Sequence, residues 1–102
     1  MKKVIVLGAG LVGRTIANEL ARDYAVTSVD SNPDRFNSLA KKINTLVADL
    51  SSPSEIKKVI ADFDFVIGAL PGFMGFNALK SVIEAGKNAV DIDRKSTRLN
   101  SS

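Results

Sequence analysis

The apolar positions of the chain come in two alternating rhythms. Short β-branched runs are followed by longer stretches whose hydrophobes recur every three or four residues, and the two kinds of segment take turns from one end to the other. Such alternation predicts α/β architecture, a parallel sheet with helical crossovers. The first strand is read at residues 3–7 and a helix at 11–22, with Val12, Ile16 and Leu20 on one stripe. A second strand follows at 24–29 and ends at Asp30. Asn32 reads as an N-cap, with Pro33 at the first helical position and Asp34 in the first turn, so a second helix is expected to turn Phe36, Leu39, Ala40 and Ile43 inward.

The third strand is placed at 45–48. Ser52-Pro53-Ser54-Glu55 matches a capping box, and Ile56, Val59 and Ile60 supply the buried face of the helix it starts. Residues 63–70 contain a fourth strand, in which Phe65-Val66-Ile67 is apolar throughout, as suits a central parallel strand. A fourth helix is expected at 75–85, burying Phe76, Leu79, Val82 and Ile83 and stopping at Gly86, before a fifth strand at 88–92. Five strands joined by right-handed crossovers make a Rossmann-type, doubly wound parallel sheet. The expected order is 3-2-1-4-5, with a ligand at the switch between strands one and four.

Length and composition narrow the picture. The 102 residues, 45% hydrophobic and 25% charged, leave room for one domain with one modest core. No apolar run approaches the roughly 20 residues of a membrane helix. The opening Val4-Ile5-Val6-Leu7 ends at Gly8 without a cleavage site, so it reads as a strand and not as a leader. There is no cysteine and no histidine, which removes disulfides, thiol nucleophiles, the commonest zinc ligands and the commonest general base. No metal site is expected. These absences suit a cytoplasmic protein.

The net charge of +3 is not spread over the body. Of the 14 Lys and Arg, three (Arg94, Lys95 and Arg98) lie in the last nine residues, and the other 11 balance the 11 acids. A neutral body with a basic tail is not a nucleic-acid surface. The domain is therefore read as 1–93. The tail at 94–102 lacks apolar periodicity and looks like accidentally translated adapter or vector sequence, with a disordered native terminus as the plainer alternative.

The chemistry is concentrated at the first turn. Gly8-Ala9-Gly10-Leu11-Val12-Gly13 is a G-x-G-x-x-G run that follows a strand, opens a helix, and is answered by an acid at the end of the next strand. Gly8 permits the sharp turn, Gly10 lets a pyrophosphate come close, and Gly13 allows the helix to pack tightly on the strand. The N–H groups of the first helical turn, at Leu11 and Val12, face the diphosphate with the helix dipole behind them. No Walker lysine is present, so nucleotide hydrolysis is not indicated.

Asp30, followed by Ser31, is placed to accept hydrogen bonds from the adenosine ribose, and its charge favours NAD over NADP. Arg35 could reach a phosphate if suitably oriented. Asp49 and Leu50 end the third strand, where they either flank the adenine or simply start the turn before Ser52. Ala69, Leu70 and Pro71 are expected to border the pyrophosphate and nicotinamide ribose. Phe73, Met74 and Phe76 read as packing residues, and Asp91 and Asp93 find no partner that argues for catalysis. No catalytic residue is assigned.

With these residues placed, the sequence resembles the saccharopine dehydrogenase and lysine 6-dehydrogenase family in its N-terminal NAD(P)-binding domain, over residues 1–92. The resemblance rests on the run from Val4 to Gly13, on Val29-Asp30, and on Val47-Ala48-Asp49. Asp64-Phe65-Val66-Ile67-Gly68-Ala69-Leu70-Pro71, Asn77, and Ala85-Gly86-Lys87-Asn88-Ala89-Val90-Asp91-Ile92 are more distinctive. It implies a parent oxidoreductase of amino-acid metabolism that moves hydride between a nicotinamide cofactor and an amine or imine. It also implies a C-terminal substrate domain that this chain stops short of. A domain lacking that partner leaves surface through which a homodimer could form.

A second reading is a nucleotide-sensing regulatory domain similar to those gating potassium transport, which residues 1–50 resemble as well. Leu70-Pro71-Gly72-Phe73, where such domains carry polar residues, favours the dehydrogenase. A short-chain epimerase or dehydrogenase fits less well, because Tyr24 is the only tyrosine and begins a strand.

Overall fold

The computed structural model describes residues 2–70 and, for the backbone, 88–91. The chain opens on strand β1 (Lys3–Leu7), turns into helix α1 (Leu11–Leu20) and returns along β2 (Ala25–Asp30). A 3-10 helix (Pro33–Ser38) leads to β3 (Asn44–Val47), then α2 (Pro53–Ile60), β4 (Phe65–Gly68) and β5 (Asn88–Asp91). The strands form one parallel sheet in the order β3-β2-β1-β4-β5, with β1 pairing β2 from Lys3 opposite Ala25 to Leu7 opposite Val29. On its other side, Val4 to Leu7 of β1 run opposite Phe65 to Gly68 of β4. This is an α/β, Rossmann-like sheet. The expected fourth helix, the tail at 94–102, Pro71, Phe73, Met74 and Phe76 lie outside the described residues.

Alternation along β1 sends its side chains to two cores. Ile5 and Leu7 join Val29, Leu50, Val66 and Leu70 beneath Ile56 and Ile60 of α2. Val4 and Val6 join Val26 and Ile43 beneath Ala17 and Ala21, on the α1 side. The two helices therefore cover opposite faces, and β1 is buried on both. Burying each large aliphatic side chain contributes about 1.5–3 kcal/mol, so β1 is the strand around which the rest is assembled.

Two expectations change. Of the expected stripe of α1, Leu20 packs half-buried against the core and Ile16 is half-buried, but Val12 is not buried. Gly13 and Ala17 are the buried residues of the helix, and Val12 is 56% exposed. Small residues four apart let the helix axis come close to the sheet, and the larger aliphatics flank the contact. The segment after β2, expected to be a full helix, is a short 3-10 helix that ends at Leu39 in extended backbone. Asp34, Asn37 and Ser38 bond readily to nearby backbone outside a helix. The side chain of Asn18 on α1 also takes hold of the chain here. It donates to the Ser38 carbonyl (3.1 Å) and accepts from the Ala40 N–H (2.8 Å). Of the four residues expected inward, Ile43 is buried, Phe36 and Leu39 are half-buried and Ala40 is exposed.

Half of the expected capping box is present: Ser52 Oγ accepts from the Glu55 N–H at 3.4 Å, while the Ser52 N–H donates to the Asp49 carbonyl and not to Glu55. The Glu55 carboxylate accepts from the N–H of Asp49 (3.0 Å), reaching past the cap to the end of β3. At the opposite end of the sheet, the Lys3 ammonium stands 5.4 Å from the Phe63 ring centroid, and Lys2 stands 5.9 Å from that of Phe65. Phe65 is 37% exposed at the start of β4, so the apolar run there is only partly interior.

Ser28 on β2 is fully buried, and its hydroxyl has no hydrogen-bond partner among the described residues. An unsatisfied buried polar group costs about 1–3 kcal/mol. Ser28→Ala is therefore expected to leave stability unchanged or raise it by roughly 1 kcal/mol. Urea unfolding followed by circular dichroism would show this as a higher midpoint at constant slope, and a clear loss of stability would refute it.

Candidate functional site

The site is built where β1 stops and α1 starts. Gly8 has φ +105°, a left-handed backbone value that side-chain-bearing residues rarely adopt, and its N–H donates to the Val29 carbonyl at 2.7 Å. A Cβ on Gly8 would also stand 2.8 Å from the Ala69 carbonyl oxygen and 2.9 Å from Leu70 Cδ2. The turn is thus packed against the end of β4, and Ala69 and Leu70 form its floor. Gly13, one turn into α1, sits against the Gly8 carbonyl, which a Cβ there would overlap. These two glycines let the helix begin directly over the strand.

The helix start is open. Gly10, at the N-cap, offers no side-chain cap, and the first turn holds no acid. The first intrahelical bond is Arg14 N–H to the Gly10 carbonyl at 2.9 Å, so the N–H groups of Leu11, Val12 and Gly13 precede the intrahelical ladder. Leu11 is 70% exposed, which leaves this end of the helix facing solvent. N–H groups that precede the intrahelical ladder and the positive end of the dipole together suit an anion such as a diphosphate.

Asp30 closes the site from β2. It is 6% exposed, and both carboxylate oxygens are engaged. Oδ2 accepts from the buried Ala9 N–H at 2.8 Å, and Oδ1 accepts from the Asn32 N–H at 2.9 Å. The first bond ties the end of β2 to the middle of the glycine turn across 21 residues of sequence. A carboxylate has about four lone-pair sites, so two backbone donors leave capacity for the hydroxyls of a ribose. Ser31 is exposed beside it. The Arg35 Nε lies 4.0 Å from Asp30 Oδ1.

The other predicted residues divide. Asp49 is exposed, and its Oδ1 accepts from both the N–H and the hydroxyl of Ser51, at 2.9 and 2.5 Å. Those two bonds hold its carboxyl below the ordinary value, the hydroxyl contributing most. Its described partners are those of a turn residue preceding the Ser52 cap. Leu50 is 3% exposed and belongs to the core under α2. Pro71 lies outside the described residues. The structure therefore brings together Gly8, Gly10, Gly13, the start of α1, Asp30, Ala69 and Leu70. Sequence reasoning missed that Asp30 would be spent partly on the protein's own backbone, and that Asn18 would anchor the segment carrying Arg35. Neither has a local sequence signal.

Among the described residues no group of three His, Cys, Asp or Glu side chains could hold a metal ion, and no helix is long and apolar enough to cross a membrane.

Comparison with known proteins agrees with this fold. The family model described as "Saccharopine dehydrogenase NADP binding domain" matches residues 4–101. Apo saccharopine dehydrogenase (L-Glu forming) from Saccharomyces cerevisiae superposes with a TM-score of 0.78 at 30% identity. That match covers 89% of this chain and 21% of the yeast chain. A candidate epimerase from Bacteroides thetaiotaomicron matches at TM-score 0.74 and 29% identity, over 88% of this chain and 46% of that one. A Rossmann-fold NAD(P)-binding family protein from Shigella flexneri shares the fold at TM-score 0.71 and 17% identity, over 88% of this chain and 50% of that one. The chain thus spans about a fifth of the length of the yeast enzyme and at most half of the other two.

Proposed function

The chain belongs to the family of saccharopine dehydrogenase NADP-binding domains, and on that premise we propose that it holds the dinucleotide for an oxidoreductase acting on an amino-acid amine or imine. The observation that carries this reading is the buried Asp30 carboxylate bonded to the Ala9 N–H, which sets the ribose-binding acid and the glycine turn in one rigid unit. The exposed N–H groups at the start of α1 would hold the diphosphate, and Asp30 the adenosine ribose. Gly10, with no side chain, would let the diphosphate come close, over a turn whose floor is Ala69 and Leu70. The bound nicotinamide would supply hydride chemistry. Among the described residues none is assigned to orienting or protonating a substrate.

Asp30 also supports the finer choice of NAD as the better-bound cofactor, since a carboxylate repels a 2′-phosphate. A calorimetric titration of the chain with NADH and, separately, NADPH tests both parts. NADH is expected to bind, and to bind more tightly than NADPH. A folded chain that binds neither would sink the reading, and equal affinities would remove the cofactor preference alone. Cytoplasmic location and pairing into a homodimer remain part of the same proposal, the latter checked by sedimentation.

A further inference from the structure

β3 is an outer strand of the sheet, and among the described residues no strand lies beyond it. The Ala48 N–H donates to the Asp30 carbonyl at 3.2 Å, so residues 44, 46 and 48 turn their backbone groups toward β2. The N–H and carbonyl groups of Thr45 and Val47 therefore point outward from the edge. This stretch is bounded at both ends. The Ile43 N–H donates to the Ala40 carbonyl at 3.0 Å, and the Asp49 N–H to the Glu55 carboxylate at 3.0 Å. The strand is short, but Asn44-Thr45-Leu46-Val47 holds no charge, no proline and no bulge that would turn another strand away. Leu46 is 39% exposed and Val47 55% exposed, on opposite faces.

We propose that β3 is the interface of a homodimer, in which two copies of this chain pair their β3 edges antiparallel about a two-fold axis through Thr45 and join their sheets into one. The inference rests on the homodimer proposed above and gives it a place. With the axis normal to the sheet, Thr45 stands opposite Thr45 of the second copy, and the two exchange both N–H···O bonds. The Val47 N–H then meets the Ile43 carbonyl of the other copy, and the exposed Val47 side chain packs across from Ile43. The same register sets Lys41 of each copy across from Asp49 of the other, both exposed. The Glu55 carboxylate, bonded to the Asp49 N–H, adds a second negative charge there. Sliding one strand by two residues either way loses this match of cation to anion, so charge selects the register. One partner uses up the bounded edge, and the assembly closes at two copies.

The test is sedimentation velocity of the full chain over rising concentration, with amide hydrogen exchange followed by NMR alongside. The wild type is expected to pass from monomer to dimer, and weakly, as suits a small contact. Over the same range the Thr45 and Val47 amides should gain protection, while that of Leu46, bonded to β2, should not change. Thr45→Pro removes an outward donor and spares the ladder to β2, so a chain folded by circular dichroism should dimerise roughly tenfold or more weakly. Lys41→Glu, in an exposed turn, should weaken the dimer several-fold in the same way, and Lys41→Glu with Asp49→Lys should recover it. A dimer left unchanged by Lys41→Glu, or by Thr45→Pro in a folded chain, would place the homodimer on another surface and overturn this inference alone. A wild-type chain that stays monomeric throughout would overturn the homodimer as well.

Discussion

Gly13→Ala is expected to destabilise the chain by about 2–3 kcal/mol, in spite of putting a better helix former into α1. On an open helix surface the same exchange would gain about 1 kcal/mol. Here the new Cβ would overlap the Gly8 carbonyl oxygen, with the Gly8 carbonyl carbon at 2.9 Å and the Ala69 Cβ at 3.2 Å. Two of these three neighbours are backbone of the turn that Val29 and Asp30 hold in place through hydrogen bonds to Gly8 and Ala9. Relief therefore means lifting α1 from the sheet and loosening Ala17 and Ala21 from the core. Gly10→Ala is the natural control, because the Cβ there meets the far end of the flexible Arg35 side chain at 3.3 Å. Its cost should stay within roughly 0.5 kcal/mol, as for an ordinary surface change. Urea unfolding of both variants decides the matter, and a Gly13→Ala chain as stable as the wild type would show that the turn yields where the packing says it cannot.

That contrast bears on what the sequence could reveal. Alternation, caps and the glycine spacing are local signals, and they placed β1, β2, α2 and the turn within a residue or two. The second helix misled because its cap was real. Asn32, Pro33 and Asp34 do start a helical turn, but the clasp of Asn18 from α1 ends it at Leu39. That contact is 20 residues away in sequence and leaves no mark in the local pattern. The stripe of α1 misled for a related reason. Hydrophobicity favoured Val12, while close approach to the sheet selected Gly13 and Ala17, and tight packing is a property of pairs of elements. For the site, Asp30 was legible from its distance to the glycine run. Its two backbone partners, and the seat of Arg35 above Gly10, follow only from the fold.

Those two partners make Asp30 the residue whose loss should be felt most widely. In Asp30→Ala, the N–H groups of Ala9 and Asn32 lose their acceptor together. Hydrogen bonds to a charged group contribute about 1.5–3 kcal/mol each, so the expected loss of stability is roughly 3–5 kcal/mol. Loss of the half-exposed pair with Arg35 adds little to this, since that pair is weak. An effect of that size is a large part of the total stability of a small domain, so loss of NADH binding in Asp30→Ala would not by itself separate ribose contact from a collapsed turn. Asp30→Asn makes the separation. Its amide oxygen can still serve one N–H, and the fold should survive with a smaller loss. The amide nitrogen, however, faces the second donor, and the negative charge that attracts the ribose hydroxyls is gone. For Asp30→Asn, circular dichroism should report a folded chain while calorimetry reports NADH affinity down by roughly tenfold or more, the equivalent of about 1.4 kcal/mol. Full NADH affinity in a folded Asp30→Asn chain would assign the carboxylate to structure alone, leaving the ribose to be recognised elsewhere on the turn.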